Sequence, residues 1–181
     1  MTSIGNLELE NYIIELEEAN ISGIYEPHGE MTWDIEIFPP GEDTYIMFNA
    51  LILTGIYTPE KISNTFYKAT TDTADLYGHT VLLNGEDRFL QSVDMIFGKW
   101  DTTLQLLPLQ GHGIINADDN QPAITFNFKT NLKFKELNIF ETTREEAQLF
   151  VETHLQDHKT DIVINYEQVA SGLQATITGH F

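Results

Sequence analysis

The chain has 181 residues, no cysteine, and 28 acidic against 9 basic side chains, for a formal net charge of −19. This length suits one domain with a real core, and the composition excludes a disulfide framework and a thiolate metal site. A field of this sign repels nucleic acid and anionic lipid and draws a basic partner, although solubility or a high-salt setting explains the same charge as readily.

The charge is unevenly laid out. No Lys or Arg precedes Lys61, whereas twelve acids do, and the remainder carries sixteen acids with all nine bases. An acidic partner-binding face is therefore expected from the first third, made of Glu8, Glu10, Glu15, Glu17, Glu18, Glu30, Asp34 and Glu36. The opening MTSIGNLELENYIIE has neither a basic n-region nor an apolar h-region. No window holds the roughly 18 apolar residues of a membrane span, so a soluble, cytoplasmic protein is expected.

In chain order, Leu7 to Tyr25 fits a helical stripe at Leu9, Tyr12, Ile13 and Leu16 but an extended reading at its tail. An internal echo favours strand. Ile21-Ser22-Gly23-Ile24-Tyr25 recurs as Leu53-Thr54-Gly55-Ile56-Tyr57, with looser copies at Ile96 to Trp100 and Ile177 to Phe181. In a strand this pattern sets the apolar residue, the glycine and the aromatic on one face, the glycine leaving room for a ring or a bend. Glu30 to Phe38 alternates as a half-exposed strand, Pro39-Pro40-Gly41 turns the chain, and a strand from Thr44 to Tyr57 follows. The Pro59 region reads as a loop with one helical turn. Leu76 to Leu83 and Arg88 to Trp100 flank Asn84-Gly85, a pair suited to tight hairpins, and Asp101 to Ile115 forms a further strand run.

Asn120 to Phe140 alternates most strictly. Ile124, Phe126, Phe128, Thr130, Leu132 and Phe134 fall on one side, while Thr125, Asn127, Lys129, Asn131, Lys133 and Lys135 fall on the other. At about 3.3 Å per residue the run is roughly 35 Å long, and its phase slips after Glu136 as a bulge would require. Thr142 with Glu145, or Thr143 with Glu146, has capping-box spacing at the start of a helix whose stripe is Ala147, Phe150, Val151, His154, Leu155 and His158. Two strands, Asp161 to Gln168 and Leu173 to Phe181, end the chain. The expected fold is mainly β, an antiparallel β-sandwich or barrel of about nine or ten strands with one late α-helix near 142–158.

Candidates for chemistry are few. His154 and His158 stand at helical i, i+4 spacing as two metal ligands must, but no catalytic glutamate lies between them, and helix-surface histidines are the plainer reading. Gly111-His112-Gly113 marks a bulge or a close approach, and Asp118-Asp119-Asn120 lacks the ligand spacing of a calcium loop. Gly98-Lys99-Trp100 resembles the Gly-x-Trp of lipocalins, a family that carries it in its first strand, whereas here it stands past mid-chain, and no membership follows. Lys129, Lys133 and Lys135 would pair with acids across strands or guard an edge. No catalytic triad or phosphate loop stands out, so no enzyme, metal or cofactor is expected. The leading function is a non-enzymatic acidic protein that neutralises a basic protein partner, in the manner of immunity or inhibitor proteins or as a nucleic-acid mimic. The alternative is a barrel carrying a small apolar ligand among Trp33, Trp100, Phe126, Phe128 and Phe134.

Overall fold

Alternating apolar side chains commit most of this chain to strands, and a computed structural model shows how they join, describing residues 4–10, 12–26, 29–41, 43–71, 76, 79–83, 85–117 and 121–181. Twelve strands occur among the described residues: β1 (Gly5–Leu9), β2 (Tyr12–Leu16), β3 (Glu18–Tyr25), β4 (Met31–Phe38), β5 (Thr44–Ile52), β6 (Phe66–Thr70), β7 (Thr80–Leu83), β8 (Glu86–Phe97), β9 (Leu106–Ile115), β10 (Ile124–Thr142), β11 (Ile162–Val169) and β12 (Gly172–Gly179). The helix α1 (Arg144–His154) lies between β10 and β11.

The pairings close a ring. β3, β4, β5, β7, β8, β9 and β10 each bond to the next, and β10 returns to β3. This is a barrel, with one departure from the antiparallel expectation: the β10–β3 seam is parallel. β10 meets β9 over Ile124 to Lys133 and β3 over Lys133 to Ile139, so among the strands of the ring only Lys133 is paired with both neighbours. Such a stagger is what closing a sheet demands. Below the seam the β1–β2 hairpin covers the same edge of β10, and above it β12 takes over the edge that β9 leaves. The register slips between Phe134 and Leu137, where the sequence phase also slips.

Every apolar residue of the β10 stripe beyond Ile124 points inward. Phe126, Phe128, Leu132 and Phe134 are buried, as are Trp33, Ile35, Ile37, Phe48, Met95 and Phe97 from the opposing walls. Phe126 stacks on Phe128 at 6.0 Å, and Phe128 meets Phe48 at 5.6 Å. The room for those two rings comes from β9. Gly111 and Gly113 pair with Phe128 and Phe126, and a methyl on Gly113 would lie 2.7 Å from the Phe126 ring, one on Gly111 2.5 Å from that of Phe128. His112 between them points outward, exposed.

The glycine echo has two outcomes. Gly23 lies within β3, where a methyl would press on the Trp33 ring at 3.2 Å, as the one-face reading requires. Gly55 instead sits in a turn with φ of 74°, after β5 has ended at Ile52. Gly85, with φ of 81°, turns the β7–β8 hairpin, while Asn84 lies outside the described residues. The Pro59 region forms a 3₁₀ turn over Pro59–Ile62, capped by the Thr58 hydroxyl. Three short strands, β1, β2 and β6, raise the count above that expected, because segments of five residues carry too little alternation to be resolved from sequence.

The helix is shorter than the sequence suggests. Thr142 still belongs to β10, Thr143 caps the helix in a capping box with Glu146, and His154 is its last residue. A separate 3₁₀ turn holds Gln156–His158. The polar run from Gln156 to Lys159 offers no apolar face to pack, so nothing sustains further helical turns.

Phe126→Ala or Phe128→Ala should each cost about 3 kcal/mol of stability, Asn127→Ala under about 1 kcal/mol, and Gly113→Ala about 1–3 kcal/mol by overpacking. Denaturant titration measures all four, and equal costs at 126, 127 and 128 would contradict the inward stripe.

Candidate functional site

With the barrel interior occupied by its own rings, concave chemistry lies at the surface. The clearest convergence of charge and shape lies where α1 meets the ends of β3 and β10. The capping box fixes the first turn of α1: the Thr143 hydroxyl accepts from the Glu146 N–H at 3.1 Å, and the Glu146 carboxylate accepts from the Thr143 N–H at 2.8 Å. From that start, Glu146, Phe150 and His154 recur at every fourth residue and share one helical face. Phe150 lies against Tyr25 with centroids 4.6 Å apart, and His154 stacks on Tyr57 at 3.9 Å. Tyr25 and Tyr57 are the aromatic residues of the two glycine echoes.

A pocket of about 380 Å³ opens here, with Tyr25, Phe140 and Phe150 as aromatic walls and Glu26, Glu141 and Glu146 as carboxylates. No Lys or Arg lines it among the described residues. Glu146 is committed to its cap, but Glu26 and Glu141 have no ion pair or side-chain hydrogen bond among the described residues. Glu141 also holds a left-handed backbone, φ 48°, a conformation costing a non-glycine residue roughly 1 kcal/mol. Aromatic faces beside free carboxylates suit a cationic side chain, through ring quadrupole attraction and charge-assisted hydrogen bonds. Burial, helped by the nearby Lys61 charge, holds the His154 pKa below the ordinary histidine value and so favours its neutral form.

The fold distributes the eight acids expected to form one face. Glu8 and Glu15 lie on the outer side of the β1–β2 hairpin, facing Asn127 and Asn6, with exposed Glu10 beyond its end. Glu17 and Glu18 are exposed where β2 passes into β3, beside Lys133 and Lys135. Glu30 is exposed just before β4. Glu36 pairs with Lys135 at 3.0 Å. Asp34 braces the backbone, because its carboxylate accepts from the Ala50 N–H at 2.7 Å and so holds the bulge where Ala50 takes φ of 54°. Burial, and secondarily the Glu36 charge, raise the Asp34 pKa against the opposing effect of that hydrogen bond.

The five aromatic residues weighed as a ligand cavity are all buried. The Trp33 indole donates to the Ile56 carbonyl at 3.3 Å, the Trp100 indole to the Phe181 carbonyl at 3.0 Å, and Phe134 meets Phe181 edge-on at 4.7 Å. His154 and His158 are not on one helix face, because α1 ends at His154; His158 turns to Phe181 and Glu60. No group of three or more potential ligands that could hold a metal occurs among the described residues. Asp118, Asp119 and Asn120 lie outside the described residues. Of the three β10 lysines, Lys135 pairs across strands as expected, whereas Lys129 and Lys133 have no ion pair among the described residues.

Sequence reasoning missed the pocket acids. The Thr143–Glu146 spacing and the two Tyr echoes were visible signals, but Glu26 and Glu141 lie more than a hundred positions apart and only the parallel seam, which pairs Tyr25 with Ile139, brings them together.

The depressed His154 pKa has a definite sign. The unfolded chain binds more protons than the folded one between the two pKa values, so stability rises with pH up to about 6.5 and the gain is lost on acidification. Wild type should therefore lose more stability between pH 7 and pH 5 than His154→Phe, which keeps the stacking and cannot titrate. Parallel losses in denaturant titrations at the two pH values would refute the assignment. Comparison with known protein families, with curated proteins and with solved structures found no match to this chain.

Proposed function

We propose that this is a non-enzymatic, acidic binding protein that docks a basic protein partner, in the manner of immunity and inhibitor proteins. The observation that carries this reading is the pocket beside α1, where Glu26, Glu141 and Glu146 converge on aromatic walls with no Lys or Arg among the described residues that line it. A Lys or Arg of the partner is the anchor such a pocket takes. The exposed acids Glu10, Glu15, Glu17 and Glu18 supply a steering field, which acts on encounter rate more than on lifetime. Burial of all five aromatic residues supports this reading over a ligand-carrying barrel, since Phe126 stacks on Phe128, Phe128 meets Phe48 and Phe134 meets Phe181. No helix among the described residues is long and apolar enough to cross a membrane. The outward residues of β10, Asn127, Lys129, Asn131 and Lys133, are polar, the reverse of the apolar-out pattern of membrane barrels, which supports a partner met in water.

A partner recovered on the immobilised chain at low salt allows the two roles to be separated by stopped-flow kinetics. The on-rate should fall steeply as the Debye length shrinks from about 30 Å at 0.01 M to about 8 Å at 0.15 M. Reversing Glu10, Glu15, Glu17 and Glu18 to Lys should lower the on-rate. Glu26→Gln with Glu141→Gln should instead raise the off-rate about tenfold. Association indifferent to salt and to both sets of substitutions would reduce the charge to a solubility device.

A further inference from the structure

We propose that the outer face of the barrel carries a second site, independent of the acidic pocket, for a small amphipathic monoanion: one carboxylate or sulfonate on an apolar body. The site is centred on Lys129. In a chain of net charge −19 this lysine has no ion pair among the described residues; the residues directly opposite and along the strand from it are amides, and the acid on this face, Glu8, stands diagonally across, opposite Asn127 and off the groove described below. Asn6 of β1 and Gln110 of β9 stand opposite it across the strands, and Asn127 and Asn131 flank it along the same face of β10. Amide groups supply neutral donors that an anion can use without competing for the ammonium, as carboxylates would.

Beside this polar end lies an open groove of about 580 Å³ with no acid on its walls. Its apolar side is made by Ile4, Ile96 and Pro108. Ile96 is 48 % exposed, a large apolar side chain left uncovered in the middle of the sheet. Gly98 shapes the groove: a methyl there would lie 2.8 Å from the Pro108 ring, so the glycine lets the start of β9 close against the end of β8. This accounts for the glycine of Gly98-Lys99-Trp100. A concave, largely apolar site of this size with a few converging polar groups is what small organic ligands occupy. The charge complement sets the class. A single ammonium can offset one negative charge, whereas each further charge on a ligand would meet the repulsion of the whole acidic molecule, which disfavours phosphates and nucleotides.

Nuclear magnetic resonance titrations of the full chain with octanoate, 1-octanol and octylammonium, each below its aggregation threshold, test this by comparing one tail with three heads. Octanoate should shift resonances of Asn6, Ile96, Gln110 and Asn131 and bind about fivefold more tightly than octanol, with octylammonium weakest. Lys129→Glu should invert the order so that octylammonium binds best, while Lys133→Glu, the same change of charge on the same strand but off the groove wall, should leave octanoate affinity within about twofold. Lys129 is exposed, so its Glu variant does not disturb the core. Equal binding of octanoate and octanol, an order unchanged in Lys129→Glu, an equal loss in Lys133→Glu, or shifts centred away from the groove would each overturn the proposal.

Discussion

The structure depends on β10 serving two sets of neighbours in succession. Its first half lies between β9 and β1, its second between β12 and β3, and only Lys133 has ring partners on both sides. A flat sheet could not close in this way, since closure requires each strand to advance relative to the next. The bulge between Phe134 and Leu137 delivers part of that advance and turns a new set of side chains inward. Leu137, Asn138 and Ile139 are consequently buried in succession, the strand here being covered on both faces. Asn138 is tolerated there because its carbonyl oxygen accepts from Gln174 and Thr176 at 3.0 and 2.9 Å.

Closure determines where function can reside. The alternation of glycine on β9 with phenylalanine on β10 brings rings into the space inside the ring of strands. A buried aromatic cluster of this kind contributes stability and excludes ligands. Surface relief lies at edges and outer faces, where the helix, the β1–β2 hairpin and the outer wall of β9 and β10 create it. Arg88 shows how much of that relief is held from within: buried itself, it donates to the Asn116 carbonyl, to the Pro122 carbonyl at 3.1 Å and to Gln121 at 3.0 Å, fixing the connection that leads into β10.

Electrostatics is subdivided by the same geometry. A base-free stretch of sixty residues looks like one acidic face when written as a line, yet strand pairing sets Glu36 on Lys135 and brings Glu17 and Glu18 beside Lys133. Exposed pairs of this kind add at most about 1 kcal/mol each, so their importance is in shaping the field rather than in stability. What survives is two distinct surfaces, one with carboxylates on aromatic walls and one where Lys129 stands among Asn6, Gln110, Asn127 and Asn131.

The sequence by itself determined the class of fold, the inward stripe of β10, the position of its bulge, the capped start of the helix and the sign of the field. Each is a local property, readable from a period of two, a cap spacing or a count of charges. The parallel seam, the closure into a barrel, the early end of the helix at His154 and the meeting of Glu26 with Glu141 were decided by tertiary structure. Alternation states which side of a strand is apolar but not which strand lies next to it, and a helix stops where its apolar face runs out of surface to cover. Pocket chemistry depends on adjacency between residues remote in the chain, and adjacency is fixed only when the sheet has closed.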